Sequence, residues 1–318
     1  MRRIRTAVVG AGAFGRHHLR VLRTLPGAEL VAAVDIDAER AQSAAAEFGC
    51  EPFTDWRELA GRVEAAVVAV PTTAHAEVGC GLLEAGIDVL VEKPVTEDLA
   101  SADRLIETAR AHGRILQVGH LESFNPAVAA LRRILRLPLF FEIHRLSVFT
   151  PRSLDIDVVL DLMIHDIDIV LSLTGQMPEE IRAAGISILS GKVDIASARL
   201  AFPNGCIANL TASRVSTERV RKLRLFQPHE YISLDYGRQD VAVFRVTPEK
   251  GIGFSRLAVE PAEPLRLELE AFLECVANRT PPLVGGPEAR RALEVALGVV
   301  AKIEEHARIV TRSLAALD

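Results

Sequence analysis

Through its first 120 residues the chain alternates short, almost purely apolar runs with longer stretches whose apolar residues recur every third or fourth position. The short runs predict strands at Arg5–Val9, Glu29–Val34, Ala65–Val70, Ile87–Val91 and Ile115–Val118. The periodic stretches predict helices at Phe14–Leu25, Ala38–Phe48, Ala74–Ala85 and Glu97–His112, the first ended by Pro26-Gly27. The strands are almost all Val, Ile, Leu and Ala without polar alternation, as expected when helices cover both faces. Strand and helix in strict alternation predict a parallel, doubly wound α/β sheet.

Beyond about residue 138 the texture changes. Leu139–Phe149, Ile181–Leu189, Val193–Phe202, Cys206–Ala212, Val220–Phe226, Tyr231–Asp235 and Val241–Val246 read as strands, several joined by turn signals such as Pro203-Asn204-Gly205. One helix, Asp157–Leu173, interrupts them, and two more, Pro264–Ala277 and Pro287–His306, follow. The expectation is a domain of residues 1–122 and a second of 123–318, an α/β domain on a large, mainly antiparallel sheet. The last helix is a candidate to pack back on the first domain.

Composition narrows the class. The 318 residues suit roughly two domains. With 37 basic against 42 acidic residues, nothing asks for nucleic acid. No apolar run reaches the roughly 18 residues of a membrane span. Met1-Arg2-Arg3 and the apolar stretch after it mimic a signal peptide, but Gly15-Arg16-His17-His18 breaks the run and no small-residue cleavage site follows. Cys50, Cys80, Cys206 and Cys275 show no C-x-x-C spacing, which disfavours zinc and disulfides and suits a reducing, cytoplasmic setting. Of the basic residues only Lys93, Lys192, Lys222, Lys250 and Lys302 are lysines, so each lysine is a rare choice. A GC-rich genome explains the bias as a whole.

The first strand–helix turn reads Gly10-Ala11-Gly12-Ala13-Phe14-Gly15, a G-x-G-x-x-G whose context gives it weight. Gly10 permits the turn, Gly12 lets a pyrophosphate approach, and Gly15 lets the helix pack on the strand. Asp35 ends the second strand, where a carboxylate accepts from ribose hydroxyls and repels a 2′-phosphate; Asp37 adds to the repulsion. NAD is therefore expected over NADP. The bland alternative is a glycine turn and a capping aspartate.

Ligands of such sheets bind beyond the carboxyl ends of the strands. Those ends carry Pro71-Thr72-Thr73-Ala74-His75, Glu92-Lys93-Pro94 and Gly119-His120. The expected cofactor contacts are Gly10, Gly12, Ala13, Phe14, Gly15, Asp35, Pro71, Thr72, His75, Glu92, Lys93 and His120. Lys93 sits at the ligand edge, against the alternative of a solvated surface lysine. Asp161, His165 and Asp168 fall at i, i+4 and i+7 of an otherwise apolar helix, hence on one face. Asp161 there holds His165 in one tautomer and makes it a proton acceptor. The alternative is a satisfied core histidine; no third cluster of ligands supports a metal.

These motifs together resemble the glucose–fructose oxidoreductase/inositol dehydrogenase (Gfo/Idh/MocA) family, over essentially the whole chain. The resemblance implies an N-terminal Rossmann domain, a C-terminal domain on a mainly antiparallel sheet, bound nicotinamide cofactor, a sugar or cyclitol substrate, and homodimers or homotetramers formed through the sheet. It implies catalytic roles for Lys93, His165 and Asp161. Either Lys93 or His165 suits as base; His165 is taken as base, oriented by Asp161, with Lys93 binding and polarising the oxygen and shuttling the proton.

Two features depart from the common pattern: Met163 stands where many members have glycine, and Gly119–Pro126 lacks the usual aromatic and arginine. That stretch, Val158–Asp166 and Leu210–Val215 resemble a subgroup, bacterial UDP-N-acetylglucosamine 3-dehydrogenases of lipid A biosynthesis, though Ser123 replaces an arginine expected there. The subgroup implies a C3 ketone product handed to an aminotransferase. Asn125, Arg145, Arg152 and Arg214 become candidates for substrate binding, the arginines for a diphosphate. The other readings are a dehydrogenase of a free sugar, cyclitol or other small alcohol, and a non-catalytic NAD-binding regulator.

Overall fold

The computed structural model describes residues 2–150 and 156–314. Six strands, β1 (Ile4–Val9), β2 (Ala28–Val34), β3 (Glu51–Phe53), β4 (Ala65–Val68), β5 (Asp88–Glu92) and β6 (Leu116–Gly119), form one sheet in the order β3-β2-β1-β4-β5-β6. Every pairing in it is parallel. The helices α1 (Ala13–Thr24), α2 (Ala38–Phe48), α3 (Thr72–Glu84) and α4 (Leu99–Ala111) connect them. β4 and β5 are buried at every position, which is why their sequence lacks alternation. This is the expected doubly wound Rossmann sheet, with the order reversing between β1 and β4. The edge strand β3 is too short for a periodic signal.

The second sheet has eight strands in the order β14-β13-β12-β11-β7-β10-β9-β8. They are β7 (Phe140–Val148), β8 (Glu180–Ile186), β9 (Ile195–Ala201), β10 (Ile207–Ser216), β11 (Val220–Gln227), β12 (Glu230–Asp235), β13 (Asp240–Val246) and β14 (Ile252–Arg256). Only β10 with β7 is parallel. Burial alternates along β12 and β13, so one face is covered and the other open. On the open face Phe140, Phe226, Tyr231, Phe244 and Phe254 stand in register across five strands, with successive ring centroids 5.0–5.9 Å apart. The covered face packs against α5 (Pro126–Ile134), α6 (Ile164–Thr174) and part of α8 (Gly286–Leu314). Neither α5 nor β14 was anticipated from the residue pattern.

The chain divides into two compact units: Met1–Phe124 with Ala262–Arg290, and Asn125–Pro261 with Arg291–Asp318. The expected split into 1–122 and 123–318 misses the return of 262–290 to the first unit. The reason is apolar burial. Leu265, Leu269, Phe272, Leu273 and Val276 of α7 (Pro264–Asn278) join Ile4, Leu19, Leu22 and Leu25 in one core. Each such side chain is worth about 1.5–3 kcal/mol when buried. It is α7 and only the first turn of α8 that belong here; the rest of α8 belongs to the second unit.

Candidate active site

In the first unit the turn after β1 is built around its glycines. Gly10 has φ +98°, and a Cβ on it would lie 2.4 Å from the Ala69 carbonyl oxygen. A Cβ on Gly15 would lie 1.8 Å from the Gly10 oxygen, so any side chain would push α1 off the strand. Around Gly12 the space is open: a Cβ would meet nothing within 4 Å. Gly12 is also the N-cap of α1 and offers no side-chain cap to the N–H groups of the first turn. An open, uncapped helix start fits a pyrophosphate, which Gly12, Ala13 and Phe14 would hold by backbone N–H groups and the helix dipole.

Asp35 ends β2 just beyond. It is buried; one oxygen accepts the Ala11 N–H at 2.9 Å and the other the Asp37 N–H at 3.0 Å. The carboxylate is thus anchored on the glycine turn, with lone pairs remaining for ribose hydroxyls. Arg40 lies 3.7 Å from Asp35 and hydrogen-bonds Asp37 at 3.1 Å. Pro71 and Thr72 open α3 at the end of β4.

His75, an expected cofactor contact, is 1% exposed, with Nδ1 3.0 Å from the Pro94 carbonyl and Nε2 3.0 Å from that of Val70. Burial lowers its pKa and outweighs those two carbonyls, which act in the opposite direction. The ring ties the loop after β4 to the loop after β5, which carries Lys93. His120 is also buried at the end of β6.

Lys93 is half-buried at the end of β5, before Pro94. Its neighbour Glu92 is buried and bridges two groups. Glu92 Oε1 lies 2.7 Å from His18 Nε2, and Oε2 accepts the Lys93 backbone N–H at 3.3 Å. Glu92 is paired in the sheet with Gly119, where a Cβ would come within 2.9 Å of the carboxylate. Glu268 of α7 is 0% exposed. Burial first, and the charge of Glu92 second, push its carboxyl well above the usual range. Gln117 of β6 donates to the Glu268 backbone carbonyl at 3.1 Å. The sequence reading missed His18 and Glu268. The signal was present: each sits on the apolar face of its helix, His18 beside Gly15, Leu19 and Leu22, and Glu268 beside Leu265, Leu269 and Phe272.

In the second unit Asp161 and His165 lie where the helix begins, but the local geometry is not the expected one. Val159–Met163 form a π-helical turn that leads into α6. The 3.6-residue spacing that places Asp161, His165 and Asp168 on one face therefore holds only from Ile164 onward; a π turn is wider, and such turns often mark functional sites. His165, Asp166 and Asp168 are buried and Asp161 is partly exposed.

The described candidate arginines are buried and lie against carboxylates of their own unit. Arg145 is 3% exposed; its Nε and Nη2 donate to the two oxygens of Asp166 at 2.8 and 2.7 Å, and its guanidinium lies 5.1 Å from the Tyr236 ring. The fork that would grip a diphosphate already grips a carboxylate. Arg214, 5% exposed, donates to the Ile156 carbonyl and lies 3.8 Å from Asp194. Burial opposes ionisation of Asp194, yet the Ser190 hydroxyl and the N–H groups of Ser190, Ile188 and Leu189 overcome it and hold the carboxyl well below its usual range. Asn125 caps α5, accepting the Ala127 N–H at 3.0 Å and donating to the Tyr236 carbonyl at 3.1 Å. Arg152 lies outside the described residues.

Comparison with known proteins gives this geometry a family. Residues 4–120 match the oxidoreductase family with the NAD-binding Rossmann fold, and 143–227 match the GFO/IDH/MocA C-terminal domain. UDP-N-acetylglucosamine 3-dehydrogenase of Acidithiobacillus ferrooxidans is 36% identical over 95% of this chain and 97% of its own length. Its solved structure superposes with a TM-score of 0.91, covering 96% of this chain and 99% of that one. scyllo-Inositol 2-dehydrogenase (NAD(+)) of Bacillus subtilis is 29% identical over 92% of both chains. Among the described residues no helix is long and apolar enough to cross a membrane. The chain belongs to the Gfo/Idh/MocA family and is a nicotinamide-dependent dehydrogenase acting on CH–OH donors.

Proposed function

We propose that the chain oxidises the C3 hydroxyl of UDP-N-acetylglucosamine to the ketone, with NAD⁺ as acceptor. The observation that carries this reading is the 36% identity to a UDP-N-acetylglucosamine 3-dehydrogenase along nearly the full length of both chains. NAD rather than NADP follows from Asp35 and Asp37, whose charges oppose a 2′-phosphate, while Arg40 is already engaged by both. The nicotinamide, when bound, accepts hydride from the carbinol carbon. His165 takes the hydroxyl proton, with Asp161 as its orienting partner. The Lys93 ammonium holds the oxygen on which negative charge develops.

A 3-keto sugar is a substrate for amine transfer, so an aminotransferase is the proposed downstream partner. The proposed assembly is a homodimer or homotetramer joined through the open face of the eight-stranded sheet, supported by its row of aromatic rings, of which Phe254 is 58% exposed. Light scattering of wild type and Phe254→Glu tests this; an unchanged mass, or a monomeric wild type, counts against it.

A second reading, a free sugar or cyclitol as substrate, draws support from the commitment of Arg145 and Arg214 to their own carboxylates and from the inositol dehydrogenase relative. One assay separates the two. NADH formation is followed with UDP-N-acetylglucosamine, UDP-glucose, myo-inositol and glucose, each with NAD⁺ and NADP⁺ and with a ketone trap. The highest kcat/KM is expected for UDP-N-acetylglucosamine with NAD⁺. A cyclitol or free hexose that surpasses it overturns the substrate assignment. His165→Ala and Lys93→Met are each expected to lower kcat by about 10²–10⁴-fold with NADH binding retained. Near-normal turnover in both removes the catalytic assignment.

A further inference from the structure

His18, Glu92 and Glu268 are brought together from α1, β5 and α7, three elements distant in sequence, inside the first unit. A buried carboxylate without partners costs several kcal/mol, and an apolar side chain of the same size would serve stability as well or better. What the arrangement provides is position. One Glu92 oxygen is taken by His18 Nε2, and the other receives the amide of the next residue, Lys93. Gly119 leaves the space the carboxylate occupies, since a Cβ there would collide with three of its atoms.

We infer that the His18–Glu92 pair is a clasp that positions Lys93, fastening the backbone of the lysine to the helix whose first turn forms the phosphate cradle. This rests on the reading that Lys93 holds the reacting oxygen; His18 and Glu92 are positioning residues and touch no reacting atom. His18 Nε2 faces Glu92 Oε1 at 2.7 Å, while Nδ1 has no hydrogen-bond partner among the described residues. The edge of Phe14 packs against the ring at 5.4 Å between centroids and limits its rotation.

The test pairs activity with a readout that needs no substrate. His18→Leu keeps bulk and removes the donor; His18→Gln returns an amide N–H near the place of Nε2. With UDP-N-acetylglucosamine, or with myo-inositol if the wild type turns over only that, His18→Leu is expected to lower kcat about 10- to 100-fold, the scale of a small misplacement. NADH affinity stays near that of wild type, and His18→Gln recovers most of the rate. Hydrogen exchange at the Lys93 amide in the free protein is expected to be slow in wild type and His18→Gln, and faster in His18→Leu and Glu92→Gln. Unchanged kcat and unchanged Lys93 exchange in His18→Leu overturn the clasp, as does an equal loss in the Leu and Gln variants, which would mean packing alone. Should His18→Leu fail to fold, exchange in Glu92→Gln decides the matter by itself. Full turnover in Lys93→Met defeats the catalytic reading of the lysine, while the exchange result still judges the clasp.

Discussion

Both units pair buried carboxylates with guanidinium groups, Asp88 with Arg279 in the first, but their remaining buried charges differ. In the second unit two deeply buried carboxylates meet arginines: Asp166 is gripped by Arg145 and Asp194 lies beside Arg214. In the first unit Glu92 pairs with His18, and burial together with the charge of Glu92 pushes the Glu268 carboxyl well above the usual range. Paired charges hold a scaffold together but leave their arginines little capacity for a substrate. The Glu92 carboxylate accepts the backbone N–H of Lys93, the residue proposed to hold the reacting oxygen.

The largest expected effect lies in the second unit. Arg145→Ala removes the bidentate guanidinium partner of the buried Asp166 carboxylate and is expected to cost about 3–5 kcal/mol in denaturant unfolding. A variant that keeps its stability but raises KM for a UDP-sugar would reverse the comparison and return Arg145 to the substrate. Asp194→Asn is smaller, about 1–3 kcal/mol, since an amide satisfies fewer of the donors from 188–190 and removes the negative charge 3.8 Å from Arg214. The folded pKa of Asp194 is depressed, so its contribution is present above the unfolded value, about 3.9, and is lost as pH falls through the folded value. The gap between wild type and Asp194→Asn is therefore expected to close in acid; a gap independent of pH would deny the carboxylate its role.

Glu268→Gln carries the opposite sign. Unfolded, this carboxyl ionises near about 4.3; folded, burial and the charge of Glu92 keep the proton on to much higher pH. The folded state then binds more protons, and stability falls as pH rises between the two values, by at most about 1.4 kcal/mol per pH unit. Glutamine removes that slope. Its Tm advantage over wild type is expected to grow from pH 5 to pH 8, and a constant difference would mean that Glu268 is ionised in the fold.

Much of this molecule was legible in its residue pattern. The uniform apolar runs of β4 and β5 announced a sheet covered on both sides, and Gly10, Gly12, Gly15 and Asp35 announced the cradle, because a turn, a close approach and a strand-end carboxylate are local requirements. α5 escaped notice: it is nine residues long and follows a 3-10 turn, so its period is short and its capping residue Asn125 reads equally as a loop. The π turn at Val159–Met163 has no local signature of that kind. The Arg145 ion pair is hidden for a related reason: nothing in its neighbourhood along the chain reveals that Arg145 faces Asp166, 21 residues away.

The sequence by itself determined the two textures of sheet, the dinucleotide turn, the family and the rare lysine at a strand end, all of which depend on neighbours a few residues apart. Only the tertiary structure decided which buried charges meet. It drew α7 back to the first unit, set His18 against Glu92 across 74 residues and brought Glu268 within reach of the Glu92 charge, and it engaged Arg145 with a carboxylate of its own unit. Partner choice among buried ionisable groups is fixed by three-dimensional proximity and by the cost of leaving any one of them unmatched, and neither is written in local spacing.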